Sequence, residues 1–269
     1  MNRQASGFTL VELIITIAIT TILTSLSVAG YKAAREKAQL ATEVNAARNL
    51  MSAYLGHASD NHGRLLPGYK TDDTATNLDG QPLYYPINAR YPWRLIPDMP
   101  KVEGVLLYNG TERALEDENS DYMVSVVPNL GINAVYVGGH FGSGSPLRPS
   151  DRLIETVGKY YVSRISESVQ PDRLIVFASA RHGNDRNEIG NFEVRAPNTI
   201  KREWSSAAFE SNASPSDHGF VDFRWNGKAV TAMLAGNVEL LDEEQLRDMR
   251  RWSNQAARSN ERNFMVAPK

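Results

Sequence analysis

One segment near the N-terminus restricts the fold more than any other feature of the chain. Residues 8–30 contain a single charged residue, Glu12, and no proline. As an α-helix this segment would extend about 34 Å at 1.5 Å per residue, and the hydrocarbon core of a bilayer is about 30 Å thick. The segment therefore predicts a helix that spans a membrane.

The helix is predicted to continue beyond the membrane. After Tyr31 the first glycine is Gly56 and the first proline is Pro67. A cleavable secretory signal is disfavoured, because the apolar run is longer than the usual length of about 7–15 residues and no small-x-small cleavage site follows it. The pattern predicts one helix of roughly 50 residues, whose second half lies against a globular domain. The apolar residues of that half recur at intervals of three and four: Leu40, Val44, Ala47, Met51, Tyr54 and Ala58.

The composition outside this segment is that of a globular protein. The chain has 269 residues, with 29 Lys plus Arg against 31 Asp plus Glu, which gives a net charge of −2 with histidine neutral. Such a balance produces no strong field that would favour nucleic acid or an anionic membrane surface as the main partner. The chain has no cysteine, which excludes disulfides, thiol catalysis and cysteine-ligated metal sites.

The residues at the start of the apolar segment form a specific motif, Gly7-Phe8-Thr9-Leu10-Val11-Glu12-Leu13-Ile14, which follows a short polar leader containing Arg3. This motif resembles the cleavage and methylation motif of type IV pilins and type II secretion pseudopilins. The resemblance implies that a prepilin peptidase cuts after Gly7 and methylates the new amino terminus at Phe8. It also implies that Glu12 guides assembly by meeting the amino terminus of a neighbouring subunit; the alternative is that Glu12 simply lies at the level of the lipid headgroups.

The same resemblance implies the division of the chain and its location. We expect a leader at 1–7, a transmembrane half-helix at 8–30, an amphipathic half-helix at 31–59 and an exported α+β domain at 60–269. The location would be the inner membrane with a single span, and the C-terminal domain in the periplasm or on a filament. The distribution of basic residues does not by itself set this orientation, because Lys32, Arg35 and Lys37 follow the span. The implied partners are the peptidase, other pilin or pseudopilin subunits, an inner-membrane assembly platform and the bilayer.

Beyond the first helix the sequence predicts loops and short strands. Proline and glycine interrupt residues 60–101, where we expect loop with helical turns around Tyr91–Ile96. A helix is predicted for Asp151–Val157. The segments predicted to form strands are Val102–Tyr108, Tyr122–Val127, Asn133–Val137, Leu174–Ala178 and Phe192–Arg195.

The C-terminal region predicts a hairpin followed by a helix. Asn226-Gly227, which favours a type I′ turn, separates Phe220–Trp225 from Lys228–Leu234. A short strand is expected at Val238–Leu241, then a helix capped by Asp242 that runs to about Arg258, and a disordered tail from Ser259. The hairpin partly resembles that of large pseudopilin-like families with a histidine, nine residues and Asp-Gly, but Trp225 and Ala235-Gly236 replace those polar positions.

These elements predict an α+β fold of pilin-like type. A long N-terminal helix, membrane-spanning in its first half, would pack on an antiparallel sheet domain with a C-terminal helix.

The sequence contains few patterns that indicate chemistry. The histidines show no metal-ligand spacing and are expected on the surface; they are His57, His62, His140, His182 and His218. Asp72, Asp73 and Asp79-Gly80 could supply oxygen ligands for calcium, although their spacing matches no EF-hand loop and a charged surface loop is the simpler interpretation. Gly142-Ser143-Gly144-Ser145 lacks the strand–turn–helix setting of a serine nucleophile, since Pro146 follows it.

A run of arginines makes the last helix and the tail basic, and it could contact DNA or an acidic partner. The alternative is a solvated helix face with arginines towards its C-terminal end, where they favour the helix dipole. The arginines are Arg247, Arg250, Arg251, Arg258 and Arg262.

The leading functional hypothesis is a structural subunit and not an enzyme, with no cofactor. A rival hypothesis is a membrane-tethered periplasmic binding or hydrolytic domain that has a pilin-type N-terminus but does not polymerise. A plain single-span anchor without peptidase processing is a third. The region after residue 60 is larger than a minimal pilin needs, and this size is the reason for retaining the rival hypothesis.

Overall fold

The computed structural model describes residues 9–99, 101–145, 147–183, 188–200 and 202–268. The chain divides after Ala41 into two compact units. One helix, α1, runs from Leu10 to Asp60 and belongs to both units, and the remaining elements belong to the second. They are α2 (Tyr91–Leu95), α3 (Ser120–Val126), β1 (Leu130–Ile132), α4 (Asp151–Val157), β2 (Ile175–Ser179), β3 (Asn198–Thr199), β4 (Arg202–Glu203), β5 (Lys228–Met233), β6 (Val238–Asp242), α5 (Glu243–Leu246) and α6 (Asn254–Ser259).

The core of the second unit is an antiparallel four-stranded sheet in the order β1-β2-β5-β6. All residues of β2 are buried, as are all those of β5 except Lys228, so both faces of the sheet are covered. On one face, the ring of Phe177 meets Tyr54 of α1 and Tyr91 of α2 at centroid distances of 5.5 and 5.3 Å. The predicted α+β class, with a long N-terminal helix and an antiparallel sheet, is confirmed.

The opposite face of the sheet packs against the C-terminal part of the chain. Trp252 is fully buried there, and its ring lies 6.1 Å from that of Trp204. The same cluster includes Leu246, Met249 and Val266. The expectation of a disordered tail from Ser259 is therefore wrong, because an apolar side chain close to the C-terminus completes this core.

The first helix buries a wider face than the predicted one. Ala47, Met51, Tyr54 and Ala58 are buried as expected, whereas Leu40 and Val44 are only half-buried. The additional buried positions widen the contact by about 100° around the helix axis, at about 100° per residue. They are Ala46, Leu50, Ala53 and the charged Glu43.

The predicted turn at Asn226-Gly227 forms, but the strands it joins differ from the prediction. Asn226 and Gly227 have φ of 50° and 75°, and the flanking Trp225 and Lys228 exchange two backbone hydrogen bonds of 3.0 and 3.1 Å. Residues 220–225 do not form a strand along β5. The hairpin is instead β5–β6, joined through residues 234–237, because β5 pairs with β2 on one side and with β6 on the other.

Other predicted strands are corrected in the same way. Leu174–Ala178 is confirmed as β2, shifted by one residue. Residues 122–126 lie instead in α3, where Trp93 Nε1 donates to the Asp121 carbonyl. Buried turns occupy residues 102–108 and 133–137, and residues 192–195 add one isolated bridge to β1. Apolar residues in these runs face a core from several sides, so their alternation does not indicate a strand.

The predicted C-terminal helix is divided into three short segments. Asp242 caps α5 through a capping box with Gln245, as predicted. Asp248 then leaves the helical conformation and accepts a bond from the Arg250 amide, which starts a 3₁₀ turn at Met249–Arg251. Ser253 accepts from the Ala256 amide and starts α6. These side-chain caps compete with a continuous helix, which is why it breaks.

Candidate functional site

The predicted processing site and the start of α1 are adjacent in the chain. Gly7 and Phe8 lie outside the described residues, so cleavage and N-methylation at this point stay predictions. Thr9 directly precedes α1, and its carbonyl accepts the first hydrogen bond of the helix from the Leu13 amide at 3.1 Å.

Thr9 and Glu12 form reciprocal hydrogen bonds at this end of the helix. The Thr9 hydroxyl accepts from the Glu12 amide at 3.2 Å. In return, Glu12 Oε2 accepts from the Thr9 amide at 2.9 Å and from the Thr9 hydroxyl at 2.7 Å. This arrangement is a capping box, which satisfies amide groups that the first helical turn leaves without partners. Its sequence signal, Thr-x-x-Glu before an apolar run, was not among the predicted features of the chain.

The capping box leaves part of the Glu12 carboxylate available. Both bonds from Thr9 go to Oε2, and Thr9 is the only hydrogen-bonding partner of this carboxylate among the described residues. An acidic group at a helix N-terminus is also favoured by the helix dipole. Glu12 therefore has a local structural role, and its Oε1 can still accept from a second donor.

The first half of α1 has the chemistry of a lipid-facing helix. The large apolar side chains between Leu10 and Val28 are each at least half exposed, and the helix is long and apolar enough to cross a membrane. Its hydroxyl groups donate to carbonyls three or four residues earlier, so they present no unsatisfied donor to lipid. The residues with this bond are Thr16, Thr20, Thr21, Thr24, Ser25 and Ser27.

The second half of α1 carries a buried ionic cluster. Glu43 is fully buried, its Oε1 accepts from the Ser179 hydroxyl of β2, and its Oε2 lies 3.5 Å from Nε of Arg224. Arg224 also lies 3.5 Å from Asp222 and donates to the carbonyls of Asn129 and Ala180. Burial raises the pKa of the Glu43 carboxyl, and the attraction of Arg224 opposes this shift. The cluster connects α1 to the sheet, and nothing in the local sequence around Glu43 indicated it.

Within the described part of the chain, the side chains of four of the five histidines have a partner, and each partner is different. The four are His57, His140, His182 and His218. His218 is 1% exposed and His140 is 8% exposed, so the expectation that all five lie on the surface is wrong for these two. His140 stacks on Tyr69 at 4.7 Å and lies 3.6 Å from Glu193, and burial lowers its pKa. No group of three or more His, Asp or Glu side chains suited to a metal occurs among the described residues.

The two loops considered for chemistry form local turns. Asp72 Oδ1 accepts from the amide and hydroxyl of Thr74, which is an ordinary Asx turn. The calcium hypothesis for this loop stays untested. In the glycine–serine loop, Ser145 accepts from the Leu147 amide at 3.3 Å, and the Gly142 amide donates to His140 Nδ1.

The C-terminal arginines are largely paired within the chain. Arg247 pairs with Glu243 at 2.6 Å and Arg250 pairs with Asp248 at 2.7 Å, while Arg251 lies 3.5 Å from Glu239. Such pairing reduces the positive field that a nucleic acid would meet. The structure therefore favours the interpretation of these arginines as helix-end and ion-pair residues.

The fold and the N-terminal site together define a class of protein. It is an α+β domain built on a long helix whose first half is apolar and whose first turn carries a glutamate in a capping box. A family model described as the prokaryotic N-terminal methylation motif matches residues 2–28. The chain thus carries the motif that is the hallmark of type IV pilins and pseudopilins. No curated protein and no solved structure matches the chain.

Proposed function

We propose that the chain is a pilin-like structural subunit. A prepilin peptidase removes residues 1–7 and methylates Phe8, and the subunit then assembles into a type II secretion pseudopilus or a type IV pilus-like filament. The observation that carries this proposal is the methylation motif at 2–28 placed directly on a helix long enough to span a membrane. Before assembly the subunit would be a single-pass inner-membrane protein with its C-terminal domain exported.

Glu12 is the residue that we assign to assembly. The capping box with Thr9 fixes the carboxylate at the first turn of α1 and leaves Oε1 open. The free amine of a neighbouring mature subunit would bind there as a charged donor. Such a pair offsets much of the cost of taking an isolated carboxylate out of water.

Processing is tested first, by intact mass and N-terminal sequencing of the protein from native membranes. The expected product starts at Phe8 and carries one extra methyl group. A product starting at Met1, or one cut beyond Gly30, would contradict the proposal and favour a plain anchor or a secreted domain.

Assembly is tested with three variants that separate the charge of Glu12 from its capping role. Glu12→Gln and Glu12→Ala should be processed and inserted normally but should reduce incorporation into filaments. Thr9→Ala removes the hydroxyl of the capping box and keeps the carboxylate, so it should assemble much better than either Glu12 variant. Equal defects in all three would mean that Glu12 acts only as a helix cap.

The tethered binding domain stays as a second candidate because of one cleft in the exported domain. The cleft is about 740 Å³ and is lined by Tyr161, Phe264, Asn254 and Gln255 among others. This volume is in the range of small-molecule sites. Ligand binding or hydrolysis by a chain lacking residues 1–30, with no filament formed by the full chain, would favour this candidate.

A further inference from the structure

A pocket in the exported domain is lined by positive charge. It measures about 440 Å³, and its basic side chains are Arg64, Lys70 and Arg164. Two aromatic rings, Phe141 and Tyr161, lie 6.4 Å apart in its wall. Among the described residues no carboxylate lines it. We name this site the cationic pocket.

Two of the cations face each other across paired backbone. Arg64 and Arg164 form an antiparallel bridge, flanked by hydrogen bonds from the Leu65 amide to the Ser163 carbonyl (2.9 Å) and from the Ile165 amide to the Gly63 carbonyl (3.0 Å). Like charges directly opposite each other in such a pairing are destabilising. An anion bound between them would remove this repulsion.

The arginines of the pocket have no carboxylate of their own. Arg164 donates to the backbone carbonyl of His62 at 2.9 Å, and within the part of the chain that the structure describes neither Arg64 nor Arg164 lies in an ion pair. The nearest acids have other partners: Asp98 pairs with His57 at 2.9 Å, and Glu167 pairs with Lys159. The pocket is thus open to an acidic group from outside.

The same chain carries a matching acidic segment. Glu116, Asp117 and Glu118 are consecutive and exposed, between a 3₁₀ turn and α3. The Asp117 carboxylate accepts from the Asn119 amide at 2.7 Å, which fixes the turn. No ion pair joins these three acids to any other described residue. Tyr122, 43% exposed, follows on the next turn and adds aromatic surface.

We propose that the acidic segment 116–118 of one subunit docks into the cationic pocket of a second copy of this chain. The proposal rests on the proposed filament, for which it supplies a contact between exported domains. Because the two surfaces differ, the contact is heterologous and can repeat along an open filament. A net charge of −2 gives little overall repulsion between copies, so local complementarity can set their register.

The absence of native cysteine allows a direct test in the full-length protein. One tagged copy carries Asn119→Cys beside the acidic segment, and a second, differently tagged copy carries Asn61→Cys in the pocket wall; both changes keep every charge of the contact. Oxidation in native membranes should give a disulfide dimer that contains both tags. Ser206→Cys, an exposed position elsewhere, replaces Asn61→Cys as the matched control and should give none.

Charge reversal tests the chemistry of the contact. Asp117→Lys or Arg164→Glu alone should lower the yield of the cross-link about tenfold, and the two reversals placed in opposite copies should restore it. Filaments that form normally without the cross-link would overturn the docking proposal and leave the filament proposal intact. A cross-link without filaments would keep the docking and reject the filament, and the absence of both would reject both.

Discussion

The buried pair of Glu43 and Arg224 gives the sharpest stability prediction. In Glu43→Ala, the Ser179 hydroxyl loses one of its two acceptors and keeps the Val230 carbonyl at 3.4 Å. The Arg224 guanidinium, whose side chain is 12% exposed, loses one of its two carboxylates. Removing one partner of a buried ion pair costs about 3–5 kcal/mol. Asp222 still neutralises part of the arginine charge, so we expect the free energy of unfolding to fall by about 3 kcal/mol.

A series of variants separates the contributions. Glu43→Gln keeps the volume and an acceptor for Ser179 but loses the charge, and it should cost about 1–2 kcal/mol. Asn49→Ala, an exposed change on the same helix, is the matched control and should stay within about 0.5 kcal/mol of the parent. A cycle that combines Glu43→Gln with Arg224→Met should give a coupling free energy of about 1–3 kcal/mol.

Urea unfolding of a chain starting at Tyr31 measures these values. That chain keeps the whole compact unit after Ala41, and its four tryptophans are buried in the native state, so their fluorescence reports unfolding. A loss of less than about 1 kcal/mol for Glu43→Ala, or a coupling of zero, would refute the role of the pair in holding α1 on the sheet.

Two further predictions concern a turn and an ion pair. Gly227→Ala should lower the free energy of unfolding by about 1–2 kcal/mol, because φ there is 75°. Gly56→Ala, inside α1 near its C-terminal end and with open space around it, should raise the same quantity by about 0.5–1 kcal/mol; equal effects from the two changes would contradict the backbone argument. Burial tends to raise the pKa of the Asp248 carboxyl, but the hydrogen bonds and the charge of Arg250 outweigh burial and lower this pKa. The stabilising contribution of Asp248 is therefore complete above about pH 4 and is lost as the pH falls through the folded-state pKa. Urea midpoints of the parent and Asp248→Asn should therefore differ at neutral pH and converge in acid, and a difference that does not change with pH would contradict this prediction.

Local sequence signals predicted the parts of the fold that local interactions hold. The helix from Leu10 to Asp60, the helix at Asp151–Val157, the cap at Asp242 and the turn at Asn226-Gly227 all form. Each depends on contacts within about four residues, which the sequence displays directly. The Thr9–Glu12 capping box was equally readable from its Thr-x-x-Glu spacing.

The sheet required the tertiary structure. The segment 220–225 was predicted as a strand beside β5, but β2 occupies that edge of β5. Tyr122–Val127 has the composition of a strand, but its packing against α2 makes it helical. In both cases the contact that decides the secondary structure joins residues that are far apart in sequence. A short apolar run does not show which element it will pack against.

The candidate sites show the same difference between features set by consecutive residues and features set by tertiary contacts. The sequence alone determined the methylation motif, the apolar helix that follows it and the absence of cysteine, because these are properties of consecutive residues or of composition. Only the tertiary structure brought Glu43 to Arg224 and set Arg64 opposite Arg164. Those charges are 181 and 100 positions apart in the chain, and folding places them together because the helix, the loops and the sheet share one core.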